Sequence, residues 1–587
     1  MMLNHIRAAA IFLTALSSGA AIAQTNQGLW EPPFNHPLLA GWFAGQPNWD
    51  GEPASPYVPP PADRNRFMAG HMSLIPVGRE RGKVLVWNWM RVPYGTPVGM
   101  QHWAIVDVST PTPTFQNFDL PIATSDGDLF CSGHAWSKDG HLLVAGGNRY
   151  NGPQLQANRL AFRFDPTAQP TGNAMWVREP DLKLERWYPT VTALSTDATG
   201  LDLMAVTGGF DFFSFAGVTS YEVFDPSGAP GGGAWQIDPV GGTQIFPGPP
   251  GLACDEIFAI YPRQHVLSSG RLFFSGSTER GFRLDQTQVS SGSPATWDVH
   301  ASNPFPGWHR DYSSNFLFPN MGGPLGGFSD IVVKVGGAPQ PWVNCLPSPI
   351  ATPTNSTEFC FADLAVNDPN WVWNTSGPSM QFGRFHHNAV LLPDATVVVV
   401  GGNLDTNGEL NCALPVLQTE LLNDLPFAWR TLAPATVRRG YHSTALLLPD
   451  GRVLVGGGEQ REFDYEVFQP HYLTNGTTRP QILNAPATLD IKYGRTYDIE
   501  YAAGVTVERA VLMAPGSVTH HSDMHQRYFE LQTITPPPPG TNPIFSFQAP
   551  TSAGQAPRGY YMLFLISSVQ PGANRGTPSV ATWVYLQ

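Results

Sequence analysis

The hydrophobic residues in the middle of the chain form short apolar runs that recur at a regular interval. Each run is rich in residues that favour strands, usually follows a Gly or Asp-Gly turn, and ends in Gly-Gly or a substitute for it. The copies are residues 83–87, 142–147, 203–209, 272–276, 331–337, 397–402 and 453–457. Their period is roughly 60 residues, somewhat longer than the ~50 of kelch repeats. The runs predict strands, and seven such units can close a β-propeller.

A second signature between the runs predicts the rest of each unit. An Asp-bearing turn is followed by a tryptophan at residues 164–166 and Trp176, at 224–226 and Trp235, and at 282–285 and Trp297. A four-stranded kelch-type blade needs such a turn and a tryptophan that packs between neighbouring sheets. An array of β-sandwiches also has regularly spaced strands, but its units do not each carry Gly-Gly.

The repeat stops near Thr477, and the last stretch has a different pattern. Strand candidates at residues 497–501, 560–564 and 581–585 surround a proline run at 536–539. A stretch of about 110 residues has the size of an immunoglobulin-like sandwich. We therefore predict an all-β protein with a seven-bladed kelch-type β-propeller over residues 24–477, followed by an immunoglobulin-like β-sandwich over residues 478–587.

Composition agrees with this fold and narrows the partners. The 587 residues are 42% hydrophobic and 13% charged, with 59 Gly and 57 Pro, which suits a large turn-rich globular protein. The formal net charge of -13 argues against nucleic acid or an anionic membrane as the main partner.

The first residues predict export. A basic start, an apolar stretch from Ala8 to Leu16 and the small-residue site Ala21-Ile22-Ala23 form a secretory signal over residues 1–23. It is too short for a membrane span, and no later apolar run is long enough. We expect the mature protein to be secreted or periplasmic, where disulfides and bound copper are both plausible.

The cysteine count leaves one thiol to explain. Five cysteines in an exported chain leave at least one without an intramolecular disulfide partner. Cys345 and Cys360 bracket a Pro/Thr/Ser-rich loop and are the expected pair, while spacing does not fix the state of Cys254 and Cys412. Cys131 is our candidate for the unpaired thiol, the alternative being a buried and inert residue.

Four short motifs, far apart in sequence, contain candidate chemistry. Three of them lead into runs that end in Gly-Gly, which predicts that three blades present them to one centre. They are Phe130-Cys131-Ser132-Gly133-His134, Arg186-Trp187-Tyr188-Pro189-Thr190, Arg439-Gly440-Tyr441-His442-Ser443 and Val518-Thr519-His520. Imidazole nitrogen and phenolate oxygen suit Cu(II). Each tyrosine or histidine alone would more often be a packing residue.

With these motifs the sequence resembles the copper radical oxidases, which include galactose oxidase and glyoxal oxidase. The resemblance covers nearly all of the predicted mature chain. It is also dense in residues 446–452, in Gln526-Arg527 and in residues 559–564.

The resemblance implies a role for each candidate residue. Cys131 matches the cysteine that joins a tyrosine ring through a thioether, and Tyr188 matches that tyrosine, which also binds copper and carries a radical. Tyr441 matches the axial tyrosine that takes the substrate's proton. His442 and His520 match the two imidazole ligands, and His520 would lie on a sandwich loop that reaches into the propeller axis.

The chemistry explains why two redox groups are needed. Oxidation of an alcohol or aldehyde removes two electrons, whereas one copper ion cycling between Cu(II) and Cu(I) accepts only one. A thioether-modified tyrosyl radical can accept the other. Bound to copper, Tyr441 would be a phenolate well below the ~10 pKa of free tyrosine and could act as a base. O2 would reoxidise the pair and give H2O2.

Some residues depart from the galactose oxidase pattern. Phe210 follows Gly208-Gly209 where that enzyme has a stacking tryptophan, and Trp187 before Tyr188 is closer to the glyoxal oxidase pattern. Blade sequence begins soon after the predicted signal, which weakens a carbohydrate assignment. His521 and His525 are interpreted as exposed loop histidines, with orientation of a ligand as the alternative, and His525 stands where the family has an acidic residue. We assign no role to three blade histidines, His134, His386 and His387.

The sequence therefore predicts one copper ion, a Tyr188–Cys131 thioether cofactor, and a small aldehyde or primary alcohol as substrate with O2. The alternatives are a non-catalytic kelch-like binding or extracellular matrix protein, and a copper enzyme without a radical. A propeller supports the binding protein equally well. The Cys131 and Tyr188 pair distinguishes them, because a binding protein needs neither residue.

Overall fold

The computed structural model describes twenty-four segments of the chain. They are residues 27–37, 67–91, 98–151, 154–169, 172–194, 202–211, 216–218, 220–235, 260–276, 281–285, 297–299, 310–311, 313–318, 330–339, 342–343, 346–347, 352–365, 368, 371–404, 412–424, 427–458, 462–534, 542–568 and 575–587. About 50% of the structure is strand and about 2% is helix, so the predicted all-β class is confirmed. The predicted signal lies outside the described residues.

Seven antiparallel sheets follow one another along these segments. Sheet 1 contains His71–Leu74, Val84–Arg91, Val98–Asp107 and Thr114–Ala123, and sheet 2 contains Gly133–Trp136, Leu142–Ala145, Ala161–Phe164 and Trp176–Arg178. Sheet 3 contains Trp187–Ala193, Met204–Asp211, Tyr221–Asp225 and Ala234–Trp235, and sheet 4 contains Arg263–Val266, Leu272–Gly276, Phe282–Leu284 and Trp297–Val299. Sheet 5 contains Ser314–Leu317, Ile331–Val335, Thr357–Phe361 and Trp373–Asn374, and sheet 6 contains Phe385–Leu391, Val397–Asn403, Glu420–Asp424 and Phe427–Thr431. Sheet 7 contains Ser443–Leu447, Val453–Gly457, Asp464–Gln469 and, from the other end of the chain, Leu29–Trp30.

The second strand of each sheet coincides with one of the seven apolar runs. Sheet 7 takes its fourth strand from residues 29–30, and Phe34–Asn35 also pairs with Asp464–Gln469. This pairing joins the start of the described chain to the last sheet, as the closing of a ring would require. That the sheets are the seven blades of one closed propeller remains a prediction of the repeat pattern.

The signature tryptophans pack between sheets as expected. Trp176 of sheet 2 contacts Trp87 and Trp103 of sheet 1, with ring centroids 5.9 and 6.0 Å apart. Trp297 of sheet 4 contacts Tyr221 of sheet 3 at 6.1 Å. These rings therefore hold neighbouring sheets face to face.

The first strands of neighbouring sheets lie next to one another. Those of sheets 2 to 7 lie side by side in order, and that of sheet 7 lies beside that of sheet 1. Between sheets 1 and 2 lies a hairpin from the C-terminal region, made of Ser517–Thr519 and Ser522–Asp523, which we call the inserted hairpin. It pairs with His71–Leu74 and contacts Gly133–Trp136.

The C-terminal region forms two facing sheets. One contains Leu489–Ile491, Thr582–Leu586, Gly559–Ser567, Val507–Met513 and Tyr528–Glu530, and the other contains Thr496–Glu500, Ile544–Gln548 and Gln532–Ile534. Buried Leu512 and Leu563 of the first sheet share a core with Phe545 and Phe547 of the second. The immunoglobulin-like topology and the boundary at residue 478 remain predictions.

Shorter elements complete the described chain. They are the pairs Asn148–Asn151 with Gln154–Ala157, Arg310–Asp311 with Ala338–Pro339, and Trp342–Val343 with Leu346–Pro347, the strand Ala216–Gly217, the 3-10 helix Gly172–Met175 and the α-helix His471–Thr474. None of the helices in the described segments has the length and apolar character needed to span a membrane.

Two of the cysteine predictions fall outside the described residues. Cys254 and Cys345 are in parts of the chain that the structure does not describe, while Cys360 and Cys412 are buried. The pairing of Cys345 with Cys360 therefore remains a prediction.

Candidate active site

The five predicted site residues converge where the first strands begin. Cys131 precedes the first strand of sheet 2, Tyr188 lies in the first strand of sheet 3, Tyr441 and His442 precede that of sheet 7, and His520 is at the tip of the inserted hairpin. Their exposed fractions lie between 1% for His520 and 6% for Tyr188. The structure thus brings together residues up to 389 positions apart.

The polar atoms of these residues are within interaction distance. The hydroxyl oxygens of Tyr188 and Tyr441 are 2.5 Å apart, and Cys131 Sγ lies 3.5 Å from His520 Nε2. One ligand atom each from Cys131, His442 and His520 lies within 4.8 Å of the others. The two imidazole rings are 4.2 Å apart and nearly perpendicular, so their nitrogens can face one point.

An unusual backbone conformation aims these side chains at the centre. Cys131, Tyr188, His442 and His520 have φ between +46° and +64°, in the left-handed region that residues with a Cβ seldom adopt. Backbone hydrogen bonds hold two of them in place: Tyr188 N–H donates to Cys131 O, and Tyr261 N–H donates to Tyr188 O. Neighbouring sheets are thus joined directly at the site.

Hydrogen bonds also fix which nitrogen of His520 faces the centre. The Thr519 hydroxyl donates to Gly70 O at 2.8 Å, so its oxygen is an acceptor for His520 Nδ1–H at 2.6 Å. With the proton on Nδ1, the lone pair of Nε2 points towards Cys131 Sγ. This is the tautomer that a metal ligand requires.

Burial controls the charge of the site. It raises the pKa of Tyr188 well above its usual value, and the nearby Cys131 and Tyr441 raise it further. Burial, followed by the neighbouring His442 and His71, holds the pKa of His520 well below its usual value. Tyr188 is therefore a neutral phenol and His520 a neutral imidazole until a cation stabilises the phenolate.

Among the described side chains, Trp187 stacks on Tyr188. Their ring centroids are 4.4 Å apart and the ring planes differ by 22°. Phe210 pairs with Trp187 in the strand register, but its side chain is outside the described atoms. Trp187, the residue before Tyr188, therefore offers a stacked aromatic ring to Tyr188.

Sequence reasoning missed several residues of the centre. Tyr261 and His386 have positive φ and precede or begin the first strands of sheets 4 and 6. The ring of Tyr261 lies 5.0 Å from those of Tyr188 and His520, and that of His386 lies 4.9 Å from Tyr441. Alignment of the repeats would have found them, because they occupy the repeat position of Tyr188 and His442.

The interpretation of His521 as an exposed loop residue is wrong. His521 is 4% exposed, and its Nε2 accepts a hydrogen bond from Arg263 Nη2 at 3.0 Å. His525 is half-buried, and burial lowers its pKa to about 4. The hairpin that carries His520 packs into the centre, and this buries the residues that follow it.

The blade histidines without an assigned role are buried as well. His134, His386 and His387 are each 0% exposed. His134 lies in a hydrogen-bonded chain beside Cys131, described below.

The donor set at the centre fits copper. Two imidazoles, two phenols and a thiol meet in a buried space, and nitrogen and phenolate ligands of this kind suit Cu(II). Fold and site together therefore define an all-β protein with a buried centre suited to a copper-dependent redox enzyme.

Comparison with known families supports this class. Residues 259–477 match the family model "Glyoxal oxidase N-terminus", and residues 479–586 match "Galactose oxidase-like, Early set domain". The two matches are adjacent, and they support a copper-dependent oxidase similar to glyoxal oxidase and galactose oxidase.

Individual relatives agree over most of the chain. An aldehyde oxidase GLOX of Vitis pseudoreticulata is 28% identical over 491 residues, covering 78% of this chain and 82% of that protein. A galactose oxidase of Gibberella zeae is 27% identical over 527 residues, covering 86% of this chain and 67% of that protein. The structure of a fungal alcohol oxidase in complex with copper has a similar fold, with a TM-score of 0.68, 19% identity, and coverage of 96% of this chain and 100% of that chain.

Proposed function

We propose that this protein oxidises a small aldehyde or primary alcohol with O2, releases H2O2, and uses a thioether-linked Tyr188–Cys131 pair beside copper. The observation that carries the proposal is the meeting of two tyrosines, two histidines and a cysteine in one buried centre. A binding protein of the same fold has no use for this combination.

Four residues would hold the metal. Tyr188, Tyr441, His442 and His520 offer two oxygens and two nitrogens, and the 2.5 Å between the tyrosine hydroxyls suits two ligands of one ion. When bound, copper supplies one of the two electron-accepting positions and keeps the phenols ionised. Because Cys131 is not among these four ligands, its sulfur can form a bond to the Tyr188 ring.

Formation of the cofactor is an oxidation. The Cys131 S–H bond and one ring C–H bond of Tyr188 break, a C–S bond forms, and the two electrons and two protons reduce O2 to H2O2. The left-handed backbone of both residues brings their side chains into one cluster before the reaction. The modified Tyr188, stacked on Trp187, then serves as the second one-electron acceptor.

The two tyrosines have different roles during turnover. Tyr441, as a phenolate, takes the hydroxyl proton of the alcohol or of the hydrated aldehyde. The Tyr188 radical takes a hydrogen atom from the adjacent carbon. The product is an aldehyde or a carboxylic acid, and O2 receives two electrons and two protons to become H2O2.

The surroundings favour a small substrate. Half-buried Trp89, Trp187, Ile260 and Phe463 pack against the cluster of buried site residues. Apolar side chains offer few hydrogen-bond partners to the many hydroxyls of a sugar. We also propose that the protein is exported, on the basis of the signal at residues 1–23.

The decisive experiment is intact and peptide mass spectrometry of protein matured with copper in air. We expect a mass lower by two hydrogens and a crosslinked peptide containing Cys131 and Tyr188, both lost in Cys131→Gly. Peroxide release with a panel of aldehydes and primary alcohols then identifies the substrate.

Separate peptides at full copper loading would contradict the radical cofactor. Peroxide release without a crosslink would leave a copper oxidase that uses no radical. The absence of both would favour a non-catalytic binding protein.

A further inference from the structure

The inserted hairpin must be held in one register for His520 to reach the centre. Its pairing with sheet 1 has three residue pairs: His71 with Thr519, Met72 with Val518, and Ser73 with Ser517. A slip by two residues would keep the same side chains facing inward but move His520 by about 6.7 Å. A ladder this short needs side chains to specify its register.

A chain of buried hydrogen bonds joins the hairpin to Cys131. Cys131 N–H donates to His71 Nε2 at 3.1 Å, so His71 carries its proton on Nδ1. His71 Nδ1–H donates to His134 Nε2 at 3.0 Å, which puts the proton of His134 on Nδ1. His134 Nδ1–H then donates to Ser517 Oγ at 2.5 Å.

Each hydrogen bond in this series can form with only one choice of donor and acceptor. A backbone N–H can only donate, so it sets the tautomer of His71, which sets that of His134. His71, His134 and Ser517 are each 0% exposed, so water cannot take over a broken link without a structural change. Burial also lowers the pKa of His134 to about 3, which keeps that ring neutral.

Aromatic contacts hold the first ring of the chain. His71 stacks on Trp87 with centroids 4.6 Å apart and planes 12° apart, and Trp87 Nε1–H donates to Leu129 O at 3.1 Å. The His71 ring also lies 5.9 Å from the His520 ring, with the two planes 71° apart. His71 therefore contacts both the residue that carries the sulfur and the residue that offers the imidazole.

We propose that His71 and His134 are positioning residues that connect the Cys131 backbone to Ser517 and thereby hold His520 in copper-binding register. Ser517 precedes His520 by three residues in the same hairpin, so the chain acts through the hairpin rather than by contact with substrate. The inference rests on the proposed function only in taking His520 as a copper ligand.

The test measures Cu(II) affinity and not turnover. Copper-free parent and variants are titrated with Cu(II) in competition with a chelator, and the Cu(II) EPR spectrum is recorded. Loss of a partner that orients a metal ligand costs about 10- to 100-fold in affinity. We expect at least a tenfold rise in Kd and an altered EPR spectrum for Ser517→Ala and His134→Phe.

Two further variants are matched controls. Ser73→Ala removes a hydroxyl that lies 2.8 Å from Ser517 Oγ and 3.4 Å from His134 Nδ1. The three hydrogen bonds from Cys131 to Ser517 stay intact, because His134 Nδ1–H donates to the nearer Ser517 Oγ and Ser517 can still donate to His134 O. This variant should keep the parent Kd and spectrum. His134→Asn keeps a donor towards Ser517 but loses the acceptor for His71, and should lie between the parent and His134→Phe.

The outcomes separate the hypotheses. Equal effects of Ser517→Ala and Ser73→Ala, or no effect of either, overturn the positioning role even if His134→Phe fails to fold. A parent that binds no Cu(II) overturns the copper assignment on which the role depends. A parent that binds Cu(II) but forms no crosslink contradicts the radical cofactor alone.

Discussion

Left-handed backbone conformation is concentrated around the centre. Ten non-glycine residues in the described segments have φ between +45° and +72°, and seven of them surround the site: Cys131, Tyr188, Tyr261, His386, His442, His520 and His521. Each such residue costs on the order of 1–3 kcal/mol and persists only where its surroundings enforce it. The site therefore depends on the packing of several sheets, and single side chains can be changed to test separate roles.

Removal of the Tyr441 hydroxyl should abolish proton transfer but not cofactor formation. In Tyr441→Phe we expect kcat/KM to fall at least about 100-fold, because the positioned base is lost. The Cys131–Tyr188 crosslink should still form, as seen by mass spectrometry. Tyr221→Phe, at a buried tyrosine of sheet 3 away from the centre, is the control and should keep its activity. Activity close to the parent in Tyr441→Phe would assign the base to another group.

Replacement of Trp187, whose indole stacks on Tyr188, should shorten the lifetime of oxidised Tyr188. An offset aromatic pair contributes about 0.5–1.5 kcal/mol, so Trp187→Ala should shift the equilibrium between oxidised and reduced Tyr188 by up to about tenfold. The measurement is the decay of the visible absorbance of the oxidised protein, with copper affinity as a check on folding. Trp89→Phe alters a ring that contacts Phe130 and His442, so an equal effect there would contradict a specific role for Trp187.

Two structural features recur in the sheets that position the site residues. Glycine at the end of the second strand lets neighbouring sheets approach: at Gly457, with φ of +71°, a Cβ would lie 2.4 Å from Ala69 O and 2.6 Å from His442 O. A buried arginine before the first strand pairs with a glutamate of the third strand. These pairs are Arg186 with Glu222, Arg384 with Glu420, and Arg439 with Glu466.

Breaking one of these ion pairs should strongly destabilise the fold. Glu420→Gln leaves the fully buried Arg384 without its carboxylate, and we expect a loss of about 3–5 kcal/mol in the free energy of unfolding. Urea unfolding of the copper-free protein measures the loss. Asp126→Asn removes a partner of the more exposed Arg178 and should cost less than about 1 kcal/mol. Similar losses in the two variants would show that Arg384 finds another partner.

At the scale of the whole molecule, the C-terminal region completes the site. It supplies His520 through the inserted hairpin, and Arg527 ties the segment after the hairpin to sheet 4. The guanidinium of Arg527 donates to Val266 O at 2.7 Å and to Gly554 O and Gln555 O of the C-terminal region at 2.7 and 2.9 Å. The position of His520 thus depends on contact between the two parts of the molecule.

Replacement of Arg527 should uncouple these parts. Arg527→Met leaves three carbonyl groups without their donor, which should cost at least about 2 kcal/mol and weaken copper binding. Calorimetry of the copper-free protein should then resolve two unfolding transitions. Arg509→Met is the control, because Arg509 bonds to Glu530 and Arg575 within the C-terminal region. A single transition with unchanged copper affinity would show that other contacts suffice.

The sequence by itself determined the strands, the repeat and the main candidates of the site. Short apolar runs, Gly-Gly ends and Asp-bearing turns are local signals, because strand and turn preferences depend on neighbouring residues. The motifs that contain Cys131, Tyr188 and His442 stand out because unusual residue types occupy one repeat position. Tyr441 lies beside His442, and His520 lies outside the repeat.

Only the tertiary structure decided how other residues join the centre. His71 and Ser517 share a hydrogen-bonded chain across more than four hundred residues, and His521 is buried because Arg263 of sheet 4 packs on it. Stacking of Trp187 on Tyr188 depends on the left-handed turn at Tyr188, which the pattern of apolar residues does not reveal. Contacts of this kind depend on how separate sheets pack against each other. The repeat of apolar runs along the sequence contains no information about that packing.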